Sequence, residues 1–476
     1  MELQLDQQHV SCYRQVMCRK TEERFSLDCV VPDSLPDAAA LLLTEGDLCL
    51  WRLDLTDGAA ELEGELTVSI LCSAEGTGAP MSVPARVPVK SRLRAEGIAS
   101  GLRPVLRCTV TELSGQLLNS RKLRVQGRML WELTLYDGWD LELPLGIADP
   151  PRGVFQRRER VLVPVISAVE EQVFSVGDTV SLRKGWPEEG RVLSSHSVPI
   201  LEETQVSDAS LTIRGKISTT VLYREAAQGA LVSETLETLF SQRMELPDAA
   251  DGCDVFLHLT SVDLRCGGTD QTAETDFHLL AQVVCRRELE ADLFTDAYST
   301  HAELALKRDE IQLAAPLPDP EPFTLETETE TENADQTVIT SRFALRGDRA
   351  VVTLLMTNAE GGLFSRAAET ALPCLAERLY RAEAPSVSVS GNSVQAKVNV
   401  TAFGEAALPR TLELITSAEL DESVCRTPAS ITMVRREEGQ DVWQLAKTYG
   451  SSEAAIQAAN PEQDPPSRWL VIPRVL

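Results

Sequence analysis

Basic residues, aromatic residues and long apolar runs are all scarce in this chain of 476 residues. Lys and Arg number 45 against 72 Asp and Glu, so the formal net charge is −27 at pH 7. A field of that sign repels phosphate backbones and anionic lipid headgroups, and we expect neither nucleic acid nor a membrane surface as a partner. No apolar run is long enough to cross a bilayer. The first residues carry no basic segment followed by an apolar one, so we expect no secretory signal and no membrane insertion.

Histidine and the common catalytic motifs are also scarce. None of the five histidines lies three or four residues from another, and no GxSxG, GxxxxGKS/T or HExxH motif occurs. The eleven cysteines include no CxxC pair, which indicates reduced cytosolic thiols rather than zinc ligands or a disulfide framework. We therefore expect no catalytic residue, no metal and no cofactor, and we expect that the protein is not an enzyme.

Most of the chain instead alternates apolar with polar residues between Gly, Pro, Asp and Asn, a pattern typical of β-strands. Residues Glu61–Cys72 align without gaps on Thr212–Tyr223. Further along, Leu123–Trp131 and Phe277–Cys285 keep nearly the same spacing. Two agreements of this kind predict a mainly β fold of tandem repeat modules, each resembling a β-sandwich or barrel.

A third and weaker copy is indicated by Phe343–Leu355. In it, Arg346-Gly347-Asp348 would hold the place of the strand glycines Gly64 and Gly215. Prolines cluster at 150–151 and between 316 and 322, and proline interrupts regular structure because it lacks a backbone donor. The predicted domains are residues 1–150, 151–315 and 316–428, followed by residues 429–476.

Single residues within these stretches suggest packing roles. Cys72 and Cys285 alternate with apolar neighbours and are expected to be small buried hydrophobes rather than nucleophiles. His258 lies in a strand pattern, where a satisfied histidine is the expectation rather than a metal ligand. In Glu326–Glu332 the acids alternate with threonines, which predicts a solvated edge strand whose carboxylates share one face.

The last fifty residues show a different pattern, a βααβ unit. A short strand at Ile431–Val434 precedes two helices, and a strand at Trp469–Ile472 closes the unit. Asp441 is the predicted N-cap of the first helix, and Ser451 or Ser452 that of the second. The apolar residues of the first helix recur at helical spacing and predict one buried face; they are Val442, Leu445, Ala446 and Tyr449.

This unit resembles the LysM family through Val442–Ala446, Tyr449-Gly450, Asn460-Pro461 and Leu470–Pro473. The resemblance implies that the loop before the first helix and the loop after the second bind N-acetylglucosamine polymers such as peptidoglycan or chitin. The partner- or glycan-binding residues it assigns are Glu438, Gly439, Gln440, Asp441, Val442, Trp443, Ala459, Asn460 and Pro461. Because Val442 and Trp443 are adjacent, one apolar helix face cannot contain both, and we expect one of them to face away from the core.

The preceding segments resemble the SPOCS family of spore coat and envelope proteins of endospore-forming Firmicutes. The residues that carry this resemblance are Leu35-Pro36-Asp37, the Gly64 strand ending in Ile70-Leu71, and Leu118–Val125. It implies a non-enzymatic scaffold in the mother-cell cytoplasm at the forespore surface, whose LysM docks a coat morphogenetic protein, the coat-basement ATPase. The alternative is a protein that binds peptidoglycan through its LysM. A hydrolase using Asp/Glu pairs is a third hypothesis, although excess carboxylates make accidental pairs common.

Overall fold

The fold is mainly β, as the alternation predicts, with 79% strand, two short helices and several small sheets. It is seen in a computed structural model that describes residues 1–182, 187–207, 209–227, 229–248, 250–266, 272–313, 321–330, 336–346, 348–358, 360–372, 378–403, 410–424, 429–435, 441–461 and 469–475.

The first group of strands forms two sheets that face each other. Its strands are β1 (Glu2–Leu3), β2 (Leu5–Val30), β3 (Ala38–Thr56), β4 (Ala59–Ala74), β5 (Pro80–Arg94), β6 (Arg103–Asn119) and β7 (Lys122–Ile147). One sheet has the order β3-β4-β5, and in the other β7 lies between β2 and β6. Their inner faces enclose a core in which Leu66, Trp131 and Leu133 are almost fully buried. Burial of this apolar area holds the two sheets together.

The second group repeats this order of pairing. Its strands are β8 (Val154–Ser181), β9 (Pro187–Ser207), β10 (Ser210–Glu225), β11 (Leu231–Glu245), β12 (Gly252–Cys266) and β13 (Thr272–Ser299). Here β9-β10-β11 form one sheet, and β13 lies between β12 and β8. The core between them contains Ile217 and Phe277. The two groups touch edge to edge, since β2 and β8 pair at Tyr13 and Ile166.

The two glycines of the aligned segments lie in the middle strands β4 and β10. A Cβ atom at Gly64 would overlap the backbone oxygen of Cys49, and one at Gly215 would overlap that of Ile200. Each overlap is with the neighbouring strand beside a shift in register. Glycine is therefore required at both places by close backbone approach, which gives a physical reason for the aligned glycines.

The third group has shorter strands. They are β14 (Glu303–Leu313), β15 (Glu321–Glu330), β16 (Thr337–Arg346), β17 (Arg349–Thr357), β18 (Leu363–Ala371), β19 (Leu379–Ala382), β20 (Ser386–Ser390), β21 (Ser393–Phe403) and β22 (Arg410–Asp421). One sheet has the order β16-β17-β18, and in the other β21 pairs with β15, β19 and β20. β22 lies between β14 and β1, so the first strand of the chain adds to the last group.

The predicted alignment of Phe343–Leu355 with a single strand is wrong. Arg346 ends β16 and Arg349 begins β17, and the two residues are directly opposite each other. Gly347 lies outside the described residues. The segment is thus a hairpin, and β17, not the Arg346-Gly347-Asp348 tripeptide, takes the central position that β4 and β10 hold in their sheets.

The alternation at 326–332 is confirmed for its described part. In β15 the carboxylates of Glu326, Glu328 and Glu330 are exposed, whereas Thr327 is buried. β15 pairs with β21 and ends the order of its sheet. Lys397 on β21 contacts Glu326 at 2.6 Å between Nζ and Oε1. Residues 331 and 332 lie outside the described part.

Charged residues of all three groups meet at one junction. Glu45 on β3 forms a buried ion pair with Arg342 on β16. Two residues further along β3, Asp47 Oδ1 lies 2.8 Å from Nδ1 of His196 on β9 and accepts a hydrogen bond from the Ser197 backbone. Burial lowers the pKa of His196, but the hydrogen bond and charge of Asp47 raise it more. Buried charges persist only when they are paired, so this junction fixes the three groups against one another.

The C-terminal module, as we call residues 429–475, contains β23 (Ile431–Arg435), α1 (Val442–Tyr449), α2 (Glu453–Ala459) and β24 (Trp469–Pro473). β23 and β24 pair antiparallel. Asp441 caps α1 by accepting from the Trp443 backbone N–H, and Ser452 caps α2 by accepting from that of Ala455. Gly450 ends α1 at φ 66°, a left-handed conformation that glycine adopts without strain.

Candidate binding site on the C-terminal module

The described part of the predicted site lies at two helix ends. Asp441, Val442 and Trp443 begin α1, and Ala459, Asn460 and Pro461 end α2 and follow it. Glu438, Gly439 and Gln440 lie outside the described residues. The two halves have different surroundings, because the first half packs against the second group of strands and the second half is open.

Trp443 is the buried residue of the adjacent pair, and Val442 is partly exposed. The Trp443 side chain lies edge-on to the Tyr298 ring, with centroids 4.8 Å apart. Tyr298 in turn stacks on Phe155 at 5.5 Å. Trp443 is only 4% exposed. The ring is therefore part of a core between the C-terminal module and the ends of β8 and β13, and it offers no free face for a sugar.

Asp296 on β13 accepts hydrogen bonds from two side chains of α1. Trp443 Nε1 donates to its Oδ2 at 2.8 Å, and Lys447 Nζ donates to both oxygens at 2.7 and 2.8 Å. Burial raises the pKa of Asp296, but the hydrogen bonds from Lys447 and Trp443 outweigh burial and leave the pKa below its ordinary value. Asp296 is thus a charged acceptor aimed at the helix, and charge-assisted bonds of this kind are stronger than neutral ones.

Two further contacts fix the module in place. Asp441 caps α1 with Oδ1 and accepts from Arg157 Nη1 with Oδ2 at 2.9 Å. Tyr298 Oη donates to the backbone oxygen of Ser451, also at 2.9 Å. Asp441 is therefore engaged twice within the chain, and a ligand that needed its carboxylate would have to displace Arg157.

At the end of α2, the Asn460 side chain is hydrogen-bonded within the module, whereas its two neighbours are exposed. The Asn460 amide donates to the backbone oxygens of Ile456 and Val471 at 2.7 and 2.6 Å and accepts from the Val471 N–H at 2.7 Å. This side chain ties α2 to β24 and is used within the module. Ala459 and Pro461, in contrast, are exposed. They are the described site residues that a partner reaches without displacing other parts of the chain.

No family model, curated protein or solved structure matches this chain.

In the described part of the chain, no group of three His, Cys, Asp or Glu residues is arranged to hold a metal ion. A cleft of about 440 Å³ lies between β10, β11 and β16. The described residues that line it include the hydroxyls of Thr220, Ser233 and Thr235, and there is no Asp, Glu, His or Cys among them. No helix in the described ranges is long and apolar enough to cross a membrane.

The residues that hold the C-terminal module in place were not among those predicted from the sequence. Asp296 follows a shift in register between Phe294 and Asp296, which turns it out of the regular alternation of β13. The sequence carries a signal of this break, because the adjacent apolar residues Leu293 and Phe294 interrupt the alternation just before Asp296. No periodicity, however, indicates which surface another segment will cover.

His258 is a structural histidine, as expected. Its Nε2 lies 2.8 Å from the backbone oxygen of Leu106 on β6. Burial lowers the pKa of His258 to about 4, although that hydrogen bond opposes the shift. We therefore expect the ring to stay neutral at pH 6.

The pH titration of His258 ring NMR shifts measures this directly. The unfolded chain, with an ordinary histidine pKa of 6.5, binds this proton before the folded chain does. The stability linked to His258 is therefore fully present above pH 6.5 and falls as the pH drops towards 4. A midpoint near 6.5 in the folded protein would contradict the burial.

Proposed function

We propose that this protein is a non-enzymatic scaffold of endospore coat or envelope assembly. In the proposal, three SPOCS-like β units are followed by one LysM-like module, the layout of the clostridial spore coat morphogenesis protein SipL. The units would correspond to residues 1–150, 151–315 and 316–428. The scaffold would act in the mother-cell cytoplasm at the forespore surface.

The observation that carries the proposal is the strand order. In each of the three groups, three consecutive strands form one sheet, and this sheet faces a second one. The central strand of the second sheet is the last strand of its group, β7 in the first group and β13 in the second. In the third group two shorter strands, β21 and β22, take this position. Three groups of one order argue for repeated copies of one unit, and the matching glycines Gly64 and Gly215 support this for the first two.

The partner we propose for the C-terminal module is a protein, the coat morphogenetic ATPase of the coat basement layer. The coverage of Trp443 by Tyr298 favours a protein over a glycan, because sugars commonly stack on exposed aromatic rings. With Asp441 also paired, the open surface of the module includes Ala459 and Pro461. Protein partners can use such a surface without a deep groove.

Capture from sporulating cells tests the proposal. The full chain, immobilised, should recover the coat-basement ATPase from an extract, and a chain lacking residues 429–476 should not. In parallel, the full chain is sedimented with purified insoluble peptidoglycan. Sedimentation that depends on residues 429–476, without recovery of the ATPase, would replace the proposal by the alternative, a peptidoglycan-binding protein.

A single substitution locates the surface more narrowly. Ala459→Arg places a long cation at the open end of α2, where it suits the helix dipole, and should weaken ATPase binding about tenfold or more. Ala454→Arg is the matched control, since Ala454 is also exposed on α2 but lies near its other end. Ala459→Arg should keep the wild-type thermal midpoint, and Ala454→Arg, whose cation lies at the unfavourable end of the helix dipole, should lower it only slightly. Equal binding by both variants would place the docking surface elsewhere.

A further inference from the structure

Two cysteines of the second group face each other across neighbouring strands. Cys253 on β12 is directly opposite Cys285 on β13, and their sulfurs are 2.7 Å apart. Directly opposed residues in antiparallel strands have Cα atoms ~4.5–5.5 Å apart, within the range that disulfides span. Among the nine described cysteines, no other pair has its sulfurs in contact.

The two thiols differ in access. Cys285 is fully buried, whereas Cys253 is partly exposed. The hydrogen bond that Cys285 shares with Cys253, followed by burial, raises the pKa of the Cys285 thiol. Cys253 is therefore the sulfur that a reagent from solution meets first, and Cys285 is the protonated neighbour held against it.

We propose that Cys253 and Cys285 are a redox modification site that closes to a disulfide between β12 and β13 on contact with a low-molecular-weight disulfide. Cys253 loses its proton and attacks one sulfur of the reagent, forming a mixed disulfide and releasing one reduced thiol. Cys285 then loses its proton and attacks the Cys253 sulfur, releasing the second reduced thiol. Two protein thiols are oxidised and one reagent disulfide is reduced to two thiols, so atoms and electrons balance.

The proposed disulfide would tie β12, a strand at the edge of its sheet, to β13. β12 ends the strand order β12-β13-β8, so among the described strands it pairs with β13 alone. A covalent tie across this pair closes the chain between residues 253 and 285 and removes entropy from the unfolded state. The oxidised protein should therefore unfold at a temperature ~5 °C or more above that of the reduced protein.

The test uses the full chain, reduced and then incubated with glutathione disulfide. The protein is denatured in excess alkylating reagent, digested with trypsin and mapped by mass spectrometry. Cys266 and Cys285 share one tryptic peptide, because cleavage follows Arg265 and Arg286. A Cys266→Ser background therefore makes the assignment of Cys285 unambiguous and serves as the control, since closure should persist in it.

The expected result is a cross-linked pair of peptides lighter by two hydrogens, formed while the other thiols still alkylate. Cys253→Ser should abolish both the cross-link and the rise in thermal midpoint, and this partly exposed position keeps the variant foldable. Cys285→Ser should trap glutathione on Cys253. If Cys253 and Cys285 alkylate as completely after treatment as before, or if another pair cross-links first, the proposal is overturned.

Discussion

Replacing Arg342 by methionine should destabilise the protein by about 3–5 kcal/mol, because the substitution leaves the Glu45 carboxylate buried without its partner. The side chains of Glu45 and Arg342 are only 4% and 10% exposed. Burial raises the pKa of Glu45, but the charge and hydrogen bond of Arg342 lower it more. The measurement is the free energy of unfolding from urea titration at pH 7.

Two further variants test whether the loss of stability comes from the unpaired, buried carboxylate of Glu45. The double variant Glu45→Leu with Arg342→Met should regain most of the stability, since a well-packed apolar pair replaces a buried ion pair at little cost. Lys397→Met is the matched control at the exposed pair with Glu326, and it should cost less than ~1 kcal/mol. Equal losses for Arg342→Met and Lys397→Met would show that the junction is not buried in solution.

The buried pair of Glu45 and Arg342 should also make the stability of the protein depend on pH. The folded pKa of Glu45 lies below its ordinary value of 4.5, so its contribution to stability is present above pH 4.5 and is lost as the pH falls through the folded pKa. In the Arg342→Met variant the sign should reverse, since burial is the largest influence on the Glu45 pKa and is then opposed only by the charge of His196 and a hydrogen bond from Ser194. That variant should therefore be relatively more stable at acid pH than at pH 7.

Replacing Trp443 by alanine should release the C-terminal module from the strands. The change removes a nearly fully buried ring that contacts Tyr298 and donates to Asp296, and losses of about 3–5 kcal/mol are usual for such a truncation. Amide hydrogen exchange in α1 should rise by two orders of magnitude or more. Proteolytic cleavage between Asp421 and Ile431 should become faster.

Asp296→Asn distinguishes detachment of the module from its unfolding. The amide keeps an acceptor for Trp443 Nε1 but loses the ion pair with Lys447, so the module should loosen while α1 stays folded. Asp292→Asn, at an exposed position earlier on β13, is the matched control and should change neither exchange nor cleavage. Unchanged exchange in α1 of Trp443→Ala would mean that the module is not held by this contact.

Local features of this fold could be predicted because they depend on neighbours in sequence. The caps Asp441 and Ser452 follow from side chains that reach backbone N–H groups two or three residues ahead. The face of β15 that carries its carboxylates follows from the two-residue period of a strand. The burial of Cys72 and Cys285 follows from apolar neighbours at the same period.

One error was local. The core-facing positions change from odd numbers in β16, such as Leu345, to even numbers in β17, such as Ala350 and Val352, and the alignment with a single strand overlooked this change of phase. The other features that the sequence did not indicate depend on a distant part of the chain. Trp443 is covered by Tyr298, which is 145 positions earlier in the sequence, and Glu45 is paired with Arg342 from another group. Periodicity indicates that a face is buried but not which surface buries it.

Fluorescence microscopy of the labelled chain in sporulating cells of an endospore-forming host tests the central claim most directly. The full chain should form a shell around the forespore within the mother cell, and the chain lacking residues 429–476 should spread through the mother-cell cytoplasm. The Asp292→Asn control should localise as the full chain does. A diffuse full chain, or a shell that persists without residues 429–476, would contradict a scaffold recruited by its C-terminal module.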